Sequence, residues 1–200
     1  MAGPLWAGEV KSSKEVISQP QESCLYDWFI AGSGGYLVGF DEPMETIQIG
    51  ADLPRNFAGW CMATYLEVGY TQKDNDFIVP RQRLPFDVHE EIDIIPVTLN
   101  LKFERPLTGN LNAYWGLGLG AAFSDYSARV GAVKISKDDT AFAAQLFAGL
   151  VYNVNKNFEV FGGARWIYSD VTASAPPIPA SGDLKFGSNA FFELGLRYNF

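Results

Sequence analysis

The chain is 200 residues long and 48% hydrophobic, with 15 Phe, 9 Tyr, 5 Trp and 20 Gly and a net charge of −8. It has no run of eighteen apolar residues, which excludes a transmembrane helix. Its negative balance without a basic cluster argues against nucleic acid as a partner. Two cysteines are too few for a disulfide framework, and they lack metal-ligand spacing.

Residues 1–24 show no periodicity and read as a flexible leader ahead of a single domain, residues 25–200. The leader has Lys11 and Lys14 but no apolar core with a cleavage site, so it is not a secretory signal. Trp28 to Phe40 predicts a first, glycine-rich strand, and Glu45 to Leu53 a short second one after the turn residues Asp41 to Pro43. Cys61 to Thr71 is the third, with Met62, Thr64, Leu66, Val68 and Tyr70 on one face and Tyr65, Glu67 and Gly69 on the other.

Lys73 to Glu90 is polar and irregular, which predicts a long loop. The fourth strand, Ile92 to Glu104, sets Ile95, Val97, Leu99, Leu101 and Phe103 against Thr98, Asn100, Lys102 and Glu104. A tight turn at Pro106 to Asn110 leads into Leu111 to Phe123, where Trp115, Leu117 and Leu119 oppose Tyr114, Gly116, Gly118 and Gly120. Ser124 to Asp139 is a second polar loop, and Ala141 to Tyr152 the sixth strand. After the turn Asn153 to Asn157, Phe158 to Tyr168 sets Val160, Ala164 and Trp166 against Glu159, Phe161, Gly163 and Arg165. Ser169 to Lys185 is the third polar loop. The last strand, Asn189 to Phe200, is the plainest: Phe192, Leu194, Leu196, Tyr198 and Phe200 alternate with Phe191, Glu193, Gly195, Arg197 and Asn199.

Eight strands of about ten residues, with short turns and long loops at opposite ends, describe an all-β, eight-stranded antiparallel up-and-down transmembrane β-barrel. The faces set its polarity. An eight-stranded barrel has an interior barely wide enough for side chains, so the large apolar face would overfill it. The glycine-and-charge face suits a tight interior instead. Aromatics gather at the strand ends, Tyr70, Phe123, Trp166 and Tyr168 near the loops and Trp115, Tyr152, Phe158, Tyr198 and Phe200 near the turns, as interfacial girdles do.

The segments NLNAYWGLGLGAAF, AFAAQLFAGLVYNVNKNFEVFGGARWIYSD and FFELGLRYNF resemble the last four strands of the outer-membrane protein A-like and opacity-protein-like β-barrel family. The resemblance is carried by residues 110–200; the first half fits by pattern. It implies a bacterial outer membrane, a periplasmic N-terminus, a removed signal peptide and no cofactor. The implied partners are outer-membrane lipid and lipopolysaccharide, the barrel-insertion machinery reading Tyr198 and Phe200, and a surface ligand at loops 73–90, 124–139 and 169–185.

Enzymatic chemistry has little support. His89 is the only histidine, at the outer end of the fourth strand. A lipid A deacylase-like set would pair it with Ser124, Ser127 or Ser169 and with Glu90 or Asp170 as orienting acid. No motif accompanies these residues, and a solvated histidine is the simpler reading. Asp74, Asp76, Asp87, Glu90 and Glu91 could hold calcium, but they lack EF-hand spacing. The expected function is therefore non-enzymatic, structural or surface-binding.

Seven charges fall on the inner face: Glu67, Lys102, Glu104, Glu159, Arg165, Glu193 and Arg197. Unpaired, each would cost several kcal/mol. In the last two strands, one antiparallel register brings both Glu159–Arg197 and Arg165–Glu193 to direct or diagonal neighbours. Lys102 is expected between Glu67 and Glu104. Cys24 and Cys61 should both lie at the turn end; a disulfide suits an oxidising compartment, and two free thiols are the alternative.

Overall fold

The computed structural model describes residues 24–79, 86–130, 133–173 and 184–200. Eight strands run in chain order: β1 (Trp28–Leu37), β2 (Glu42–Phe57), β3 (Trp60–Val79), β4 (Phe86–Thr108), β5 (Leu111–Val130), β6 (Val133–Asn153), β7 (Phe158–Ala173) and β8 (Leu184–Asn199). Each pairs antiparallel with its sequence neighbours, and β1 pairs with β8, so the sheet closes. Among the described residues there is no helix. Closure leaves no edge, so the whole ladder is satisfied internally, which a lipid environment requires.

The leader reading falls on residues 1–23, outside the described residues; Cys24 is described. Short connections mark one end of the barrel. Between β2 and β3, Ala58 and Gly59 both take positive φ (52° and 85°), the two-residue turn that matches strand twist. Gly109 (φ 49°) turns β4 into β5. The last strand is tied down here too: Asn157 Nδ2 donates to the Asn199 carbonyl (2.8 Å), and the Phe200 amide to the Trp28 carbonyl (2.9 Å).

The three polar stretches differ from expectation. Residues 73–79 and 86–90, 124–130 and 133–139, and 169–173 and 184–185 belong to paired strands, so β3 to β6 reach 20 to 23 residues. A spanning strand needs about ten. These pairs therefore continue well past the lipid-facing belt, and their outward side chains turn polar where they meet water. The second strand likewise begins at Glu42 and runs to Phe57, while β1 ends at Leu37 and hands over to a turn that includes Asp41 (φ 63°).

The outer belt is apolar on every strand: Ile30, Ile47, Ile49, Leu66, Leu99, Leu117, Leu146, Ala164, Leu194 and Leu196 are exposed. Tyr70, Phe123 and Trp166 rim it at the long-strand end, and Trp115, Tyr152, Phe158 and Phe200 at the short-turn end. Phe158, Tyr198 and Phe200 form a chain of edge-to-face ring contacts, with centroids 4.9 and 5.2 Å apart.

Inside the barrel, the aromatics of the glycine-rich face find their place. Phe29, Tyr65, Tyr114, Phe147 and Phe161 pack as one cluster. The Tyr114 ring lies over Gly149 and Gly163, where a Cβ on either glycine would collide with its hydroxyl and with backbone across the ladder. Nearer the long-strand end the lumen is filled by a second apolar cluster, including Leu37, Phe40, Met44, Ile92, Ile94, Tyr126, Phe186 and Phe191.

At the short-turn end, Cys24 and Cys61 are joined by a disulfide, with Cα atoms 5.5 Å apart. Of the two cysteine readings left open by the sequence, the bonded one holds, and it staples the segment leading into β1 to the start of β3.

Candidate functional site

The most constrained polar chemistry lies in the lumen, and the period-two alternation puts it there: all seven sequence-predicted charges face inward on their strands. They form two clusters. In the first, Arg165 on β7 is only 2% exposed. Its Nη2 donates to both carboxylate oxygens of Glu193 on β8 (2.8 and 2.8 Å), while Nη1 pairs with Glu67 from β3 across the lumen. A guanidinium held by two carboxylates satisfies the rule that a buried charge must be paired.

Neutral donors and acceptors extend the network, while Arg165 Nε is buried with no hydrogen-bond partner among the described residues. Gln48 Nε2 donates to Glu67 Oε2 (2.9 Å) and Gln145 Nε2 to Glu67 Oε1 (3.0 Å), while Gln145 Oε1 accepts from Arg165 Nη1 (2.9 Å). Ser33 Oγ donates to Glu193 Oε2 (2.9 Å). Side chains from β1, β2, β3, β6, β7 and β8 thus meet around Arg165 and its two carboxylates.

The second cluster lies toward the short-turn end. Arg197 on β8 pairs with Asp52 on β2, and its Nε lies 3.4 Å from Glu159 Oε2 on β7. Asn199 links the two residues, accepting from Arg197 Nε (2.8 Å) and donating to Glu159 Oε1 (2.7 Å). Lys102 Nζ meets Glu104 at 2.7 Å, and Asn112 Nδ2 donates to the same carboxylate (2.8 Å).

The aromatic cluster separates these layers. Arg197 stacks over Phe29 (3.8 Å to the centroid) and Arg165 lies over Phe147 (5.3 Å). The gap left between the two guanidiniums is a cavity of about 20 Å³, bounded by Tyr65 and Tyr114 among others. That is room for about one water.

The observed register pairs Glu159 directly with Arg197, so Glu193 lies one diagonal step from Arg165. The expected place of Lys102 is corrected: of Glu67 and Glu104 it pairs with Glu104, because Glu67 lies four residues along β3 from Ala63, the cross-strand partner of Lys102, and is taken by Arg165. Sequence reading also missed Asp52, Gln48 and Asn199. The signal was present for β2, where Thr46, Gln48, Gly50 and Asp52 alternate with Ile47 and Ile49.

The candidate catalytic residues are scattered. His89 points outward from β4, whereas Ser124 and Ser169 face the lumen and are buried. Glu90 also points inward and accepts from Tyr126 Oη at 2.7 Å. Burial, then this carboxylate, raises the Tyr126 phenol above its usual pKa. Asp170 lies on β7, with β5 and β6 between it and His89, and accepts from Tyr168. Of the three candidate serines, Ser127 alone shares the outer face with His89, one diagonal step away. Of the calcium candidates, Glu90 is thus turned away from Asp74 and Glu91, and the side chains of Asp76 and Asp87 lie outside the described residues.

A closed eight-stranded barrel with a lipid-facing belt, two aromatic rims and an ion-paired interior is a transmembrane barrel of the bacterial outer membrane. The family described as "Outer membrane protein beta-barrel domain" matches residues 24–200, and the chain belongs to it. Solved structures share the fold at low identity. A major outer membrane protein from Thermus thermophilus aligns with TM-score 0.61 and 11% identity, over 88% of this chain and 99% of that one. OprG from Pseudomonas aeruginosa gives 0.52 and 15%, over 90% and 98%. Ail, the attachment invasion locus protein of Yersinia pestis, in complex with the heparin analogue sucrose octasulfate, gives 0.50 and 14%, over 88% and 97%. No curated protein matches the chain in sequence.

Proposed function

We propose that this chain is a non-enzymatic outer-membrane barrel with a closed lumen, acting as a structural or surface-interaction protein. The observation that carries the reading is the Arg165-centred network: ion-paired side chains from opposite walls cross the barrel where a channel would have to run. A rigid, filled barrel is a scaffold, and it leaves interaction to the strands and loops that project beyond the membrane. The N-terminus is periplasmic in this reading, with the short turns. In this reading the stretches at residues 73–90, 124–139 and 169–185 present a surface ligand site outside the cell. Lipid and lipopolysaccharide surround the belt, and the insertion machinery reads the strand ending in Tyr198 and Phe200.

The test is surface exposure. An epitope inserted after Arg81 should be detected on intact cells, and one inserted after Lys156 only after the outer membrane is permeabilised. Detection of the second tag on intact cells would reverse the orientation. A lipid A deacylase assay comparing the wild type with His89→Ala addresses enzymatic function. Equal, background-level release is expected, and activity lost with His89 would overturn the non-enzymatic reading.

A further inference from the structure

Beyond the belt, on the outer face of the β3–β4 extension, one group of side chains has the makings of a ligand set. Asp74 and Glu91 are direct cross-strand partners, and His89 lies two residues from Glu91 on the same face. The ligand atoms of Asp74, His89 and Glu91 all lie within 4.8 Å of one another. From these residues we propose a divalent metal site, built from one imidazole nitrogen and two carboxylates, for a borderline transition cation such as Zn²⁺.

Several features argue for it. Nitrogen plus carboxylate is a donor set for Zn²⁺ and its neighbours, whereas Ca²⁺ takes six to eight oxygens. Three protein ligands within one small sphere leave the fourth tetrahedral position to water. Like charges set directly opposite each other in a ladder are destabilising, and Asp74 faces Glu91 in this way; a cation between them removes that repulsion. The second carboxylate is also held for the task. Gln72 Nε2 donates to Glu91 Oε1 at 2.9 Å and to Asp74 Oδ1 at 3.4 Å, orienting both carboxylates as partners of metal ligands commonly do. The ligands stand on hydrogen-bonded strands, with Asp74 four residues or about 13 Å beyond the girdle residue Tyr70.

The experiment uses the full, untagged chain folded in detergent, stripped with chelator and titrated with ZnCl₂ by calorimetry. The account expects one Zn²⁺ per barrel, with affinity reduced roughly tenfold or more in His89→Ala and in Glu91→Gln. Both variants should still migrate as folded barrels on unboiled gels. His89 is the only histidine, so its imidazole NMR signals report the site without ambiguity, and they should move in step with the calorimetric titration. Absence of binding overturns the proposal. So does one-to-one binding that survives both variants, or binding that leaves the imidazole signals in place.

Discussion

At the residue scale, the barrel is held by a few charges whose cost is met by geometry. Arg197 pairs with both Asp52 and Glu159 and stacks on Phe29. Arg197→Ala should destabilise the folded barrel by about 3–5 kcal/mol, because it strands Glu159 in the lumen. Urea-dependent unfolding in lipid vesicles measures this, and a loss under about 1 kcal/mol would mean the charges are solvated. These residues were legible in the sequence because a charge alternating with leucine in β8 has one place to go in a narrow barrel. Asp52 was passed over although the alternation of β2 turns it inward, since the other inward positions there, Thr46, Gln48 and Gly50, are small or neutral and drew no charge pairing. The Lys102–Glu67 proximity failed for a different reason: a face assignment says which way a side chain points, and only the register says how far along the neighbour it lands.

At the element scale, strand ends were the hard part. Within the belt the pattern is apolar outward and polar inward; beyond it the pattern inverts. In β5, Ser124, Tyr126 and Ala128 face the lumen while Asp125, Ser127 and Arg129 face water. The outer solvent changes from lipid to water partway along the strand, so a test tuned to apolar outer faces stops there and returns a loop. The apolar plug containing Ile92, Ile94 and Tyr126 was hidden by the same inversion. The disulfide belongs to this scale too, since it bridges β2 to fix the entry of β1 beside the start of β3. Denatured, unreduced protein should show no titratable thiol, and reduction should cost about 3–4 kcal/mol of chain entropy. Two reactive thiols per chain would remove the staple from the account.

At the scale of the whole molecule, closure and filling act together. The ring of eight strands has no edge at which detergent or another chain can begin to open it. The unboiled protein should therefore migrate differently from the boiled protein on detergent gels, and identical mobility would count against the closed fold. From the short-turn end, the lumen passes through an ion-paired layer, an aromatic layer, the Arg165 network and an apolar plug. At the short-turn end a cavity of about 670 Å³ is lined by Asp52, Glu159, Arg197 and Asn199, but no water column continues beyond it, since the space between the two charged layers has room for about one water. Single-channel recording in planar bilayers tests this filled lumen most directly. The purified wild-type barrel should insert and show no steady large conductance; a stable nanosiemens-scale channel from the same preparation would contradict it.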